Sequence, residues 1–137
     1  MKKNLLRLIA VFAIVMTTAC VAKAQTSFVC SHRYACIIND NNELTNCSDR
    51  DENSTFIFDD DLTTITHVIG SKRTVYYIDE DEIEYEEDES ITFYTYTEDG
   101  DIYAIIVTLD DEVNILVFYQ DNKDNLWVVT YDVDSGE

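Results

Sequence analysis

Four aspartates, Asp99, Asp101, Asp121 and Asp124, lie in two loop-like segments, EDGD (Glu98 to Asp101) and QDNKDN (Gln120 to Asn125), separated by two strand-like stretches. In an antiparallel meander, alternate hairpin loops fall at the same end of the sheet, about 10 Å apart at two strand spacings. The four carboxylates would then converge, and hard oxygen donors in that number are the chemistry that Ca²⁺ takes. They are a candidate Ca²⁺ site, the one cofactor the sequence suggests. Against that stands a plainer role, because solvated turns use Asp and Asn to cap their own backbone, and Lys123 lies within the second loop. At the opposite end of such a sheet Glu87 and Asp88 would face Asp110 and Asp111. An EF-hand is excluded, since Gly100 at its sixth position would put Thr95 and Thr97 at positions that need acids.

Other chemistry is poorly served. The two histidines, His32 and His67, do not share a segment with a serine elbow, and His67 alternates with Ile65 and Ile69 as a strand residue near a core does. Cys30 stands near His32 and Arg33, the cationic setting that activates a thiol, yet pairing or burial is its commoner fate. Cysteine spacings match no zinc ribbon. Paired carboxylates could hydrolyse glycans, but among 28 acidic residues no pair stands out. No catalytic residue is assigned, and the expectation is a protein that is not an enzyme.

The elements that would position these residues are strands. The stretch MKKNLLRLIAVFAIVMTTACVAKAQ begins with Lys2, Lys3 and Arg7, continues with an apolar run from Leu5 to Met16, and ends in Ala22-Lys23-Ala24. This is the layout of a secretory signal peptide, and the apolar run is shorter than the roughly 20 residues a membrane span needs. Residues 1–24 are read as that signal and 25–137 as one acidic β-domain, secreted or periplasmic. The alternative is a lipoprotein anchored at Cys20, although Thr17 stands where such signals carry an aliphatic residue.

Residues 1–24 hold four cations and no acid, so the remaining domain carries −19 − 4 = −23. Such a surface repels nucleic acid, whose phosphates need a basic patch, and it favours solubility. Cys30, Cys36 and Cys47 remain, enough for one bridge and one thiol in an oxidising compartment. Cys30 and Cys36 fall in one strand, roughly 20 Å apart by strand rise. The turn NDNN between Cys36 and Cys47 brings those two together, so Cys36–Cys47 is the expected disulfide and Cys30–Cys47 the alternative.

The domain has no proline and its glycines are Gly70, Gly100 and Gly136, so Asp, Asn and Ser must make the turns. Between them, strands are expected at 27–38, 54–58, 63–69, 73–78, 82–86, 91–97, 102–109, 113–119 and 126–133. Short connections make this an antiparallel meander, a small barrel or a two-layer sandwich, all-β in class. The segment DEDEIEYEEDES puts nine carboxylates into twelve residues. Its alternation sets Ile83 and Tyr85 against Glu82, Glu84 and Glu86, the pattern of an edge strand kept from aggregating by charge.

The C-terminal strands IYAIIVTL, VNILVFY and LWVVTY are apolar on both faces. Strands of that kind are covered twice, and the second cover could be a ligand, a second copy or another partner. Tyr94, Tyr96, Phe118 and Trp127 are the candidate interface. The function expected is therefore non-catalytic binding of a partner, a glycan or a small ligand through the C-terminal sheet. A glycan hydrolase and a calcium-dependent adhesion module are the alternatives.

Overall fold

The computed structural model describes residues 25–87, 89–109 and 112–136. The signal-peptide and lipid-anchor readings, and Asp88, Asp110 and Asp111, lie outside them. Nine strands follow in order: β1 (Thr26–Ile38), β2 (Leu44–Phe58), β3 (Thr64–Ile69), β4 (Lys72–Ile78), β5 (Glu84–Tyr85), β6 (Ser90–Tyr96), β7 (Ile102–Leu109), β8 (Val113–Gln120) and β9 (Leu126–Gly136). All pairings are antiparallel, and the order around the sheet is β4-β3-β2-β1-β9-β8-β7-β6-β5 with β4 also paired to β6. That last pairing, through Tyr77 with Tyr96 and Ile78 with Thr95, closes eight strands into a barrel and leaves β5 as an addition at the edge of β6. The fold is a barrel and not a sandwich.

The strands form where the expected alternation stands, and five of the turns between them share one device. Asn42, Leu62, Glu89, Gly100 and Asp124 all have positive φ, between 50° and 90°. Each donates its amide to a residue three before it: Asn39, Asp59, Glu86, Thr97 and Asp121 respectively. This is a type I turn closed by a left-handed residue, a common hairpin connection. Three of the loops add a side-chain clamp. Asn39 Oδ1 accepts from the amides of Asn41 and Glu43, Asp59 Oδ1 from Thr63 and Thr64, and Asp121 Oδ1 from Lys123 and Asn125. A chain without proline makes its corners with Asx chemistry instead.

Two elements depart from expectation. β2 begins ten residues before residue 54, because Leu44–Asp51 pair along the upper part of β1 and form a ribbon with no apolar alternation to announce it. The acidic segment is strand only at Glu84–Tyr85. Glu80–Glu82 are a 3-10 turn, whose start is fixed by Asp79 accepting from the Asp81 amide. Ile83 and Tyr85 pack against the core as their alternation implies, and Glu84 points outward to accept from the Tyr94 hydroxyl at 2.8 Å.

The disulfide joins Cys36 to Cys47 across the β1–β2 ribbon, and Cys30 is a free, fully buried thiol. Burial pushes that thiol up to about 12, with Asp134 and Asp132 adding to the effect, so it is held as an inert thiol. Among the described residues no helix is long and apolar enough to cross a membrane.

Candidate functional site

Antiparallel connectivity puts the loops after β1, β3, β6 and β8 at one end of the barrel, here called the upper end. The lower half of the interior is closed. Phe28, Phe58 and Phe93 meet with ring centroids 5.5 Å apart, and Ile65, Ile91 and Ile105 fill the space around them with no more than 1% exposure. An eight-stranded barrel is just wide enough for side chains to fill it or to leave room for one small ligand.

The inward positions change character on the way up. Along β4 they run Ile78, Tyr76, Thr74, Lys72; along β3, Ile65, His67, Ile69; along β7, Val107, Ile105, Tyr103; along β8, Ile115, Val117, Tyr119. β9 contributes Val129 and Tyr131, β1 contributes Arg33 past a bulge between Cys30 and His32, and β2 contributes Glu52 and Arg50. Together they line an open-topped cavity of about 290 Å³. Seven strands each supply one to three residues to this cup.

Its floor is His67. The ring is 6% exposed and stacked on Phe56 at 3.9 Å, with Tyr131 edge-on at 5.0 Å. Burial, helped by Arg33 and Lys72, lowers its pKa to about 4, so the imidazole is neutral near pH 7. Its Nε2 is buried without a hydrogen-bond partner. Glu52 Oε1 is in the same condition, with Arg33 Nε at 3.9 Å, beyond hydrogen-bond reach. Its other oxygen accepts from Arg50 at 2.8 Å. Buried polar atoms are nearly always paired, and leaving one unpaired costs about 1–3 kcal/mol. Both residues line the one cavity, each with an unpaired atom buried behind its wall.

The tyrosines form the wall. Tyr76 meets Tyr103 at 5.0 Å and Tyr103 meets Tyr119 at 5.5 Å. Burial raises the pKa of all four tyrosines in the cup, and the Arg33 side chain bonds Tyr131. They stay protonated and offer hydroxyls. Around this wall stand three cations, Arg33, Arg50 and Lys72, against one carboxylate, Glu52. Only Arg73 and Lys123 of the domain's five cations lie elsewhere.

The sequence-derived candidates are distributed otherwise. The loops carrying Asp99, Asp101, Asp121 and Asp124 do share the upper end, and Asp101 and Asp121 border a common groove. Asp121 is already committed, however: besides the two loop amides it accepts from Trp127 Nε1 at 2.9 Å and from Asn125 Nδ2. Those bonds, Trp127 foremost, hold its pKa down to about 2. Among the described residues no group of three or more His, Cys, Asp or Glu is placed to hold a metal. At the lower end, Glu89 O accepts from the Leu109 amide, which ties the residue before β6 to the last residue of β7.

Tyr94, Tyr96 and Phe118 face outward, where Tyr94, Ala104, Phe118, Val128 and Cys36 form one cross-strand row whose last two members are buried. Trp127 does not join them. It stacks on Tyr119 at 6.3 Å and packs toward the core. The cup residues were missed by sequence reasoning except as isolated strand residues. The signal available was an inward tyrosine on each of β4, β7, β8 and β9, near the upper end in β7 and β8.

Comparison with family models, with curated proteins and with solved structures finds no match.

Proposed function

We propose that this protein is a non-enzymatic small-ligand binder that holds its ligand in the upper cup of the barrel. The observation that carries the reading is the unpaired His67 Nε2, buried at the floor of a cavity walled by tyrosines and ringed by most of the domain's cations. At about 290 Å³ the cup is near the lower bound of ligand pockets. It is of a size for one sugar or one substituted ring. The C-terminal strands β7, β8 and β9 supply much of its wall, so the ligand sits on the inner face of the sheet whose double apolarity suggested binding. Neutral His67 beside protonated tyrosines offers hydrogen bonds and no activated nucleophile, which favours binding over turnover. Export fits a disulfide-bearing, acidic domain.

The test is a thermal-shift screen of small polar metabolites on the mature protein and on Thr74→Tyr, which fills the cup from β4. Ligands that bind the folded state raise the melting temperature. The reading expects hits on the parent that vanish in the filled variant. Hits that persist in Thr74→Tyr, or none across the screen, would contradict it.

A second reading rests on the outer row of Tyr94, Ala104, Phe118 and Val128, continued by Ile106 and Leu116 in the next row. This face, with Ile102 73% and Tyr96 50% exposed beside it, would dock a second copy or another partner. It expects a mass that rises with protein concentration, and a strict monomer would count against it.

A further inference from the structure

Resting on the ligand-binding reading above, we infer that the cup selects a small organic acid carrying a hydrogen-bond donor next to its carboxylate, with Lys72, Arg33 and Arg50 on the acid and Glu52 on the donor. The residues divide the ligand's chemistry between them. Three cations face one carboxylate in the cup, an excess of two positive charges, within a domain whose net charge is −23. Random placement of five cations among 28 acids would not concentrate three on one cavity, and an anionic group would neutralise the excess. Charge-assisted bonds from Arg or Lys to a carboxylate are among the strongest available to such a site.

An anion alone leaves Glu52 unexplained. The residue lines the same cavity, while its Oε1, buried just behind the wall, has no hydrogen-bond donor and only the Arg33 guanidinium at 3.9 Å, so that a small shift of the side chain would present it to a ligand. A second carboxylate brought to it would be repelled, whereas an O–H or N–H of the ligand would satisfy it. His67 Nε2, on the adjacent floor, takes one further polar group. The tyrosine wall suits either a sugar face or an aromatic ring, since both stack on aromatic side chains. The shared requirement is a carboxylate with a neighbouring hydroxyl or amine, and it has two sources: a sugar acid or an aromatic hydroxy acid.

Calorimetric titration of the mature protein with matched probes separates the possibilities. Galacturonate is paired with galactose, and mandelate with benzyl alcohol, so each pair differs in the carboxylate. The expected result is that at least one acid binds about tenfold or more tighter than its neutral partner, a ratio typical of one charge-assisted contact. Lys72→Gln and Arg33→Gln should abolish that preference. Arg73→Gln, the same charge change on the neighbouring outward residue, should keep it. Lys72 is exposed, so its variant tests the site even where Arg33→Gln loosens the fold. Which acid binds identifies the source. Equal binding of acid and neutral partner, a preference that survives Lys72→Gln, or silence of all four probes overturns the inference. The compound screen with Thr74→Tyr decides separately whether the cup binds anything.

Discussion

His67 shows how one residue can be both a structural cost and a functional clue. Its ring completes the stack between Phe56 and Tyr131, yet its Nε2 gains nothing in return. With a folded pKa near 4 against 6.5 for the free side chain, the unfolded chain binds the extra proton between those values. Stability is therefore fully present above pH 6.5 and falls as pH drops toward 4, by about 3 kcal/mol for a shift of this size. Denaturant melts of the parent and His67→Gln, compared at pH 7 and pH 4.5, should show a smaller acid loss in the variant. Identical losses would mean that the imidazole is not held neutral by its surroundings.

At the scale of elements, the hairpin loops are the part of the fold that composition announces. Asx-rich segments marked the β1–β2, β2–β3 and β8–β9 corners, where Asn39, Asp59 and Asp121 clamp the turn, while Gly70-Ser71 makes the β3–β4 corner; the strands between them followed from alternation. The upper half of β2 was illegible for the opposite reason. Leu44 to Asn53 is polar on both faces, and its strand character comes from pairing with β1 and from the Cys36–Cys47 bridge. The bridge itself was readable, since the intervening turn left one pair within reach. The same loops yield a prediction. Asp124 occupies a left-handed position at φ 64° that glycine takes without steric cost. Asp124→Gly should stabilise the protein by about 0.5–1 kcal/mol, read by chemical denaturation. A loss of similar size would show that the Asp124 side chain carries a role its backbone does not reveal.

For the whole molecule, barrel closure and the cup escape sequence reasoning together. Closure depends on two residue pairs between β4 and β6, and the cup on one to three residues from each of seven strands. No window of sequence contains either. The abundance of carboxylates pointed instead to loops, where Asp121 turns out to be bonded within its own turn. The acidity then acts as a global charge, and its self-repulsion is relieved by screening within a Debye length of about 8 Å at physiological salt. Melting temperature should rise with ionic strength, and at constant ionic strength Ca²⁺ and Mg²⁺ should raise it equally. A Ca²⁺-selective rise lost in Asp99→Asn/Asp121→Asn would place a calcium site at the 98–101 and 120–125 loops.

A ligand held inside the barrel and one docked on its outer face would touch different residues. The most direct measurement is a backbone and tyrosine-ring NMR map of residues 25–137 during titration with hits from the compound screen. The cup account predicts shifts at Arg33, His67, Tyr103, Tyr119 and Tyr131, with Tyr94, Phe118 and Val128 unmoved. Shifts confined to Tyr94, Phe118 and Val128 would contradict it and move the function to the outer surface.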